Sequence, residues 1–196
     1  MRVIMASSAT GGHRYPALAI AENIKRRNPD AQIIFIGARK EISGDIVSSE
    51  GFHSISIDVS GFHRKKLVKN LETAKDLAVS SFQIRKILKK YKPDIVIGTG
   101  GYVCGPVIRE AKKLGISTYI HEQNVIPGVA NKLAEKYADK IFIAFREATE
   151  HFKEKDKLVV TGNPVRKAFF ISERLSSREK LGIREDDVAI LIFVYC

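Results

Sequence analysis

Asp94-Ile95-Val96-Ile97-Gly98-Thr99-Gly100-Gly101-Tyr102-Val103-Cys104-Gly105-Pro106 runs from a short apolar segment into a glycine-rich turn. Asp94–Gly98 is apolar and rich in Ile and Val, which suits a strand buried on both faces. A helical pattern follows over Val103–Leu114. Four glycines within eight residues imply unusual backbone angles or close approach of a ligand. Strand, glycine turn and helix in that order make one unit of an open α/β sheet, whose ligands bind outside the carboxyl ends of the strands. Tyr102 either stacks on a sugar ring or packs ordinarily. Cys104 has no obvious base beside it and reads as structural.

The same unit recurs along the chain. Further strands are predicted at Arg2–Ala6, Gln32–Gly37, Ser54–Asp58, Ser117–His121, Lys140–Ala144 and Leu158–Thr161. Helices are predicted at Pro16–Arg27, with Pro16 in the permissive first turn, at about Lys69–Tyr91, and at Pro127–Tyr137 and Glu173–Leu181. Alternation of this kind predicts an α/β fold: a Rossmann-like parallel sheet with helices on both faces. The apolar run Val188–Val194 follows a complete alternating domain and reads as a strand that opens a second one.

Composition bounds the function. The 196 residues are 44% hydrophobic, enough for a substantial core. No apolar run approaches the roughly 20 residues of a membrane span, and Met1–Ala6 reads as a strand, not a signal peptide. Two cysteines without metal-ligand spacing suggest a reducing compartment, so a cytoplasmic location is expected. The net charge is +11, which favours nucleic acid, phosphorylated ligands or an anionic membrane, or is simply a solvated surface. Ten basic residues lie between Arg64 and Lys92, opposed only by Glu72 and Asp76. Leu67, Val68 and Phe82 sit among them. They suit either a lipid surface or completion of the core. No helix-turn-helix, RRM or zinc motif supports a nucleic-acid partner.

Three other strand exits carry polar motifs. Thr10-Gly11-Gly12-His13 joins the first strand to the first helix, where backbone N–H groups and a helix N-terminus hold phosphate. A tight turn is the competing reading. His13 is either a general base or a hydrogen-bonded loop residue. His121-Glu122-Gln123-Asn124 is the densest polar cluster, and four polar side chains there are costly unless they bind a ligand or hold a loop. In Asn163-Pro164-Val165-Arg166, the arginine fork either pairs with phosphate or lies on the surface near a hinge.

Together, in this order and spacing, the four motifs resemble the N-terminal half of the MurG family, membrane-associated N-acetylglucosaminyltransferases of peptidoglycan synthesis. The resemblance runs from Met1 to about Arg166, with a weaker tail to Cys196. It implies the N-terminal half of a GT-B glycosyltransferase, in which two Rossmann-like domains face each other across a cleft. Residues 1–163 would form the acceptor and membrane-side domain, and 164–196 the truncated start of a nucleotide-sugar domain. The family moves GlcNAc from UDP-GlcNAc to the C4 hydroxyl of the MurNAc of lipid I, with inversion, giving lipid II. By position, His13 and Glu122 would be base candidates. Thr10, Gly11, Gly12, Asn124 and Arg166 would contact donor or diphosphate. Gly100, Gly101, Tyr102, His121 and Asn131 would line the acceptor cleft. Lys65, Lys66, Leu67, Val68, Lys69 and Phe82 would meet the anionic inner face of the cell membrane as a peripheral contact. No metal and no cofactor is implied.

Two departures from the family stand out. Ser7, Ser8 and Ala9 occupy a loop that is glycine-rich in the family, so each adds a Cβ where the backbone is expected to approach a ligand. The family also continues the strand matching Ala189–Phe193 into a Gly-Gly-Ser loop and a nucleotide-binding domain. This chain alone is therefore expected to hold an incomplete UDP-GlcNAc site and to be inactive in transfer. The alternative is a non-catalytic module that binds membrane or a lipid diphosphate. The last strand, as an unpaired edge, is expected to promote self-association.

Overall fold

The computed structural model describes residues 1–38, 46–58, 69–171, 173–190 and 192, without the side chains of 46, 49 and 69–78. Its seven strands are β1 Arg2–Ser7, β2 Gln32–Ala38, β3 His53–Ile57, β4 Ile95–Gly100, β5 Ser117–Glu122, β6 Lys140–Ile143 and β7 Leu158–Val160. They form one sheet in the order β3-β2-β1-β4-β5-β6-β7. Every pairing is parallel. From β1 the chain winds outward to β2 and β3, then returns to β4 and winds the other way. The order reverses between β1 and β4, and a crevice opens there at the carboxyl ends. The register also shifts at this point: Ala6 pairs with Gly98, but Ser7 pairs with Gly100. Such irregularities re-aim side chains at the rim of a sheet.

The helices are α1 Gly11–Arg27, α2 Ile46–Ser49, α3 Lys69–Tyr91, α4 Cys104–Lys113, α5 Val129–Ala134, α6 Ala168–Ile171 and α7 Arg174–Lys180. Strand alternation sorts the core into two layers, since successive side chains point to opposite faces. Val3 and Met5 of β1 join Ala17, Leu18 and Ala21 of α1 on one face. Ile4 and Ala6 join Ile84 and Leu88 of α3 and Val107, Ile108 and Ala111 of α4 on the other. Both layers are buried, which is why the strands read as continuous apolar runs instead of alternating ones.

Three elements differ from the sequence reading. First, α1 begins at Gly11, not Pro16, so His13 lies in its first turn. Proline inside a helix clashes with the carbonyl four residues back. Here that residue is Gly12, which is exposed and has open space around its Cα. Second, Val188–Ile190 and Ile192 are not strand but irregular, and Val188, Ile190 and Ile192 are 78–88% exposed. A strand needs a hydrogen-bonding neighbour, and none lies beside them among the described residues; residues 191 and 193–196 lie outside the description. Third, the Pro127–Tyr137 helix is shorter, with α5 followed by a 3₁₀ turn at Glu135–Tyr137.

On α4, Glu110 is 1% exposed. Arg85 Nε on α3 donates to its Oε2 at 2.5 Å, Arg109 Nε to its Oε1 at 3.1 Å, and Lys113 Nζ to its Oε1 at 3.4 Å. Burial alone would raise its pKa. The Arg85 hydrogen bond and the Lys113, Arg109 and Arg85 charges instead hold it below the ordinary carboxylate value. A depressed carboxylate stabilises the fold fully above its unfolded pKa, and that contribution fades as pH falls through the folded value. Glu110→Gln is expected to lose about 2 kcal/mol at pH near 7. The gap to wild type should narrow below a pH of about 4, as read from urea unfolding at both pH values.

Candidate functional site

The crevice is built from the exits of β1, β4, β5 and β7. The loops after β1 and β4 close on each other through glycine. Gly100 has φ +115° and Gly101 φ +82°, a region that disfavours a Cβ. The space is also taken. A Cβ on Gly100 would lie 2.6 Å from His13 Nδ1, and one on Gly101 would lie 2.3 Å from Ser8 Cβ. The side chain of Ser8, one of the departures in the first loop, is thus accommodated by the absence of one at Gly101. Ser8 N–H donates to the Gly100 carbonyl at 3.3 Å, and its hydroxyl lies 3.1 Å from Thr10 Oγ1. Thr99 Oγ1 donates to the His13 carbonyl at 2.8 Å and ties the first turn of α1 to β4. Thr10 and Gly12 are exposed at that turn.

The His-Glu-Gln-Asn motif, whose first two residues end β5, splits into two pairs on opposite faces. His121 and Gln123 face α1. Gln123 Nε2 lies 3.0 Å from His121 Nδ1 and donates to the His121 carbonyl at 3.1 Å. Gln123 Oε1 lies 3.4 Å from His13 Nδ1. His121 Nε2 reaches the Gly162 carbonyl at 3.1 Å, and Asn163 Nδ2 donates to the Gln123 carbonyl at 3.3 Å. Burial lowers the pKa of His121, against the opposing Gly162 hydrogen bond and Glu122 charge.

Glu122 and Asn124 face α5. Glu122 is 1% exposed. Its Oε1 accepts from Asn124 N–H and Nδ2, both at 2.9 Å. Its Oε2 accepts from Gly128 N–H at 3.0 Å and Asn131 Nδ2 at 2.9 Å. A carboxylate has about four lone-pair sites, and all are filled. Glu122 therefore clamps the 123–128 loop and offers no free acceptor for a substrate proton. It also lies across the sheet from His13.

Other sequence-predicted residues are placed differently from expectation. Asn131 is 1% exposed, not a cleft-lining side chain. Its amide donates to the His121 carbonyl and Glu122, and its Oδ1 meets Cys104 Sγ at 3.7 Å. Arg166 is not free for phosphate. Its Nε donates to Glu22 Oε1 at 2.7 Å and its Nη2 to Glu50 Oε2 at 2.5 Å, and these bonds, Glu50's first, raise its pKa. It fastens the segment after β7 to α1. Tyr102 is half-buried against the core. Cys104 fills the space above Gly98, where a Cβ would lie 2.2 Å from its sulfur, and burial pushes its thiol up to about 12. Asn124 is exposed beside the crevice.

The motif resemblance assigns no role to Gln123. The available signal was parity: continued past the end of β5, extended-chain alternation puts 121 and 123 on one side and 122 and 124 on the other.

Of the expected membrane residues, Lys65, Lys66, Leu67 and Val68 lie outside the described residues, and Lys69 is described only by its backbone. Phe82 is 72% exposed on α3. It borders a cavity of about 320 Å³ with Ser81, Arg85, Arg109, Glu110 and Lys113. Among the described residues, no helix is long and apolar enough to cross a membrane.

A family model for the glycosyltransferase family 28 N-terminal domain matches residues 3–143. The UDP-N-acetylglucosamine--N-acetylmuramyl-(pentapeptide) pyrophosphoryl-undecaprenol N-acetylglucosamine transferase of Acetivibrio thermocellus is 46% identical over 98% of this chain and 52% of its own length. The same-named protein of Alkaliphilus oremlandii is 49% identical over 86% and 46%. The chain thus spans about half the length of the curated relatives it matches. The crystal structure of Acinetobacter baumannii MurG superposes with a TM-score of 0.70 at 26% identity, covering 95% of this chain and 50% of that one. A Methanocaldococcus jannaschii UDP-GlcNAc 2-epimerase shares the fold, with a TM-score of 0.61 at 19% identity over 83% of this chain and 46% of that one.

The glycine contact predicts non-additive energetics. Gly101→Ala is expected to cost about 3 kcal/mol, from overpacking plus a left-handed backbone. In a Ser8→Gly background the same change should cost only about 1–2 kcal/mol, because the strain at φ > 0 persists and the side-chain clash does not. A double-mutant cycle in urea reads this coupling.

Proposed function

The chain belongs to glycosyltransferase family 28 through its N-terminal domain, and from that premise we propose that it supplies the acceptor side of a MurG-type N-acetylglucosaminyl transfer. In this reading the acceptor is a lipid-linked MurNAc-pentapeptide diphosphate, lipid I, and the donor is UDP-GlcNAc. The C4 hydroxyl of MurNAc attacks the anomeric carbon of GlcNAc from the face opposite UDP. The C1–O4 bond forms as the C1–O bond to UDP breaks, the hydroxyl proton passes to a base, and UDP leaves as an anion.

The observation that carries the proposal is the first turn of α1 at the switch point, where Gly12 is exposed and His13 is half-buried. By helix geometry the Gly11 and Gly12 amides have no intrahelical acceptor, and the helix end favours a diphosphate. His13 is the base, since Glu122 has no free lone pair. Thr10 and the exposed Asn124 border the ligand, and Tyr102 walls one side. Residues 1–163 form the acceptor domain, and 164–196 lead to the donor side of the cleft. The protein works in the cytoplasm at the inner membrane face. Its exposed C-terminal segment, including Val188, Ile190 and Ile192, promotes self-association.

Calorimetry tests the acceptor assignment. A short-chain, water-soluble analogue of lipid I is expected to bind the chain. His13→Ala and Thr10→Val should each weaken binding by roughly three- to tenfold, the loss of one hydrogen bond. Absence of binding, or tighter binding of UDP-GlcNAc than of the acceptor analogue, would overturn the assignment.

Membrane contact is supported by the groove between α3 and α4, where exposed Phe82 adjoins Arg85, Arg109 and Lys113. Apolar burial and anionic lipid act together on such a surface. The chain should co-sediment with phosphatidylglycerol vesicles at low salt and detach at high salt. Phe82→Asp should reduce partitioning at least tenfold, given about 1.5–3 kcal/mol for burying a phenylalanine. Equal binding to zwitterionic vesicles would contradict the electrostatic part.

A further inference from the structure

Four groups on three separate segments form one directed hydrogen-bonded chain. It starts at Gly162, whose carbonyl oxygen can only accept, so His121 donates from Nε2 across 3.1 Å. A neutral imidazole with its proton on Nε2 accepts at Nδ1. Gln123 Nε2 stands 3.0 Å from that Nδ1 and supplies the donor. The amide cannot be turned around. The same Nε2 also donates to the His121 carbonyl at 3.1 Å, and a flipped amide would set two oxygens, or an oxygen and a lone pair, against each other. With the NH₂ group held by two acceptors of His121, Oε1 is left toward His13. It lies 3.4 Å from His13 Nδ1 and can only accept.

We propose that Gln123 is a positioning residue that fixes the tautomer of His13, holding its proton on Nδ1 and leaving the Nε2 lone pair as the base. The use of that lone pair rests on the transferase reading above, whereas the tautomer itself does not. Gln123 thus acts through His13 and need not touch the acceptor. His121 has the matching task one step back: kept neutral by burial, it holds the amide in one orientation. Gly100 completes the arrangement, because a side chain there would occupy the position of the His13 ring. The order of the chain is Gly162 carbonyl, His121, Gln123, His13, and a carbonyl at one end sets the lone pair at the other.

Long-range ¹H–¹⁵N correlation of the ¹⁵N-labelled full chain reads the proton positions directly and needs no turnover. At neutral pH, His13 should report the Nδ1–H tautomer, the minor form of free histidine, and His121 the Nε2–H form. Gln123→Leu should return His13 to a mixture dominated by Nε2–H. Gln123→Glu separates the two halves of the amide. It keeps an acceptor for His13, which stays Nδ1–H, but removes the donor to His121, which should then take a second proton with a raised titration midpoint. The Glu variant sets a carboxylate oxygen against the His121 carbonyl, which keeps Asn131 as a donor at 3.2 Å; its backbone amide spectrum, recorded beside that of Gln123→Leu, checks that the fold is retained. A merely structural role would leave the His13 tautomer where it is. His13 as Nε2–H in wild type, or an unchanged tautomer in Gln123→Leu, would overturn the proposal. Failure to bind the acceptor analogue would instead overturn the transferase reading and leave this one standing.

Discussion

The site depends on one steric constraint: the loops leaving β1 and β4 can touch only because Gly100 and Gly101 carry no side chain. The sheet order makes those loops diverge, and divergence alone would leave an open gap. Instead Ser8 and the His13 ring occupy the positions where two Cβ atoms would stand. The crevice is therefore narrow at its base, with the start of α1 forming one lip. The shift that pairs Ser7 with Gly100 lies at the same point, and Thr99 pins the His13 backbone from below.

Around that contact the polar residues divide into two supports, one on each face of the sheet. On the α5 face, Glu122 gathers four donors and shapes the loop that carries Asn124. On the α1 face, His121 and Gln123 extend from β5 to His13 and are tied back to the segment after β7 by Gly162 and Asn163. Buried polar groups of this kind are costly unless satisfied. No buried side-chain polar atom among the described residues lacks a partner. The consequence is rigidity where the proposed chemistry needs a fixed lone pair. Arg166 contributes in another way, by fastening the start of the C-terminal segment to Glu22 and Glu50.

Much of the fold was legible in the sequence, because parallel strands buried on both faces leave short, dense runs of Ile and Val. The start of α1 was less so: Gly11 and Gly12 are poor helix formers, and Pro16 suggested a first turn. Val188–Ile190 had the composition of a strand, but composition does not provide the neighbour that a strand requires. The motifs lie at strand exits, yet motif membership does not say which side of a strand a residue faces. Glu122 and His121 are adjacent in sequence and serve opposite faces. The Arg166 pairings were illegible for another reason. Glu22 is 144 residues away, and no local pattern announces an ion pair across that distance.

The proposed ligand position is the crevice between the exits of β1 and β4. Amide hydrogen exchange, followed residue by residue with and without a soluble diphosphoryl-MurNAc ligand, tests that placement most directly. Exchange should slow at Gly11, Gly12 and His13 and at Gln123 and Asn124, and be unchanged along the groove between α3 and α4. Unchanged exchange at the start of α1, with protection appearing in that groove or at the amino ends of the strands, would contradict it.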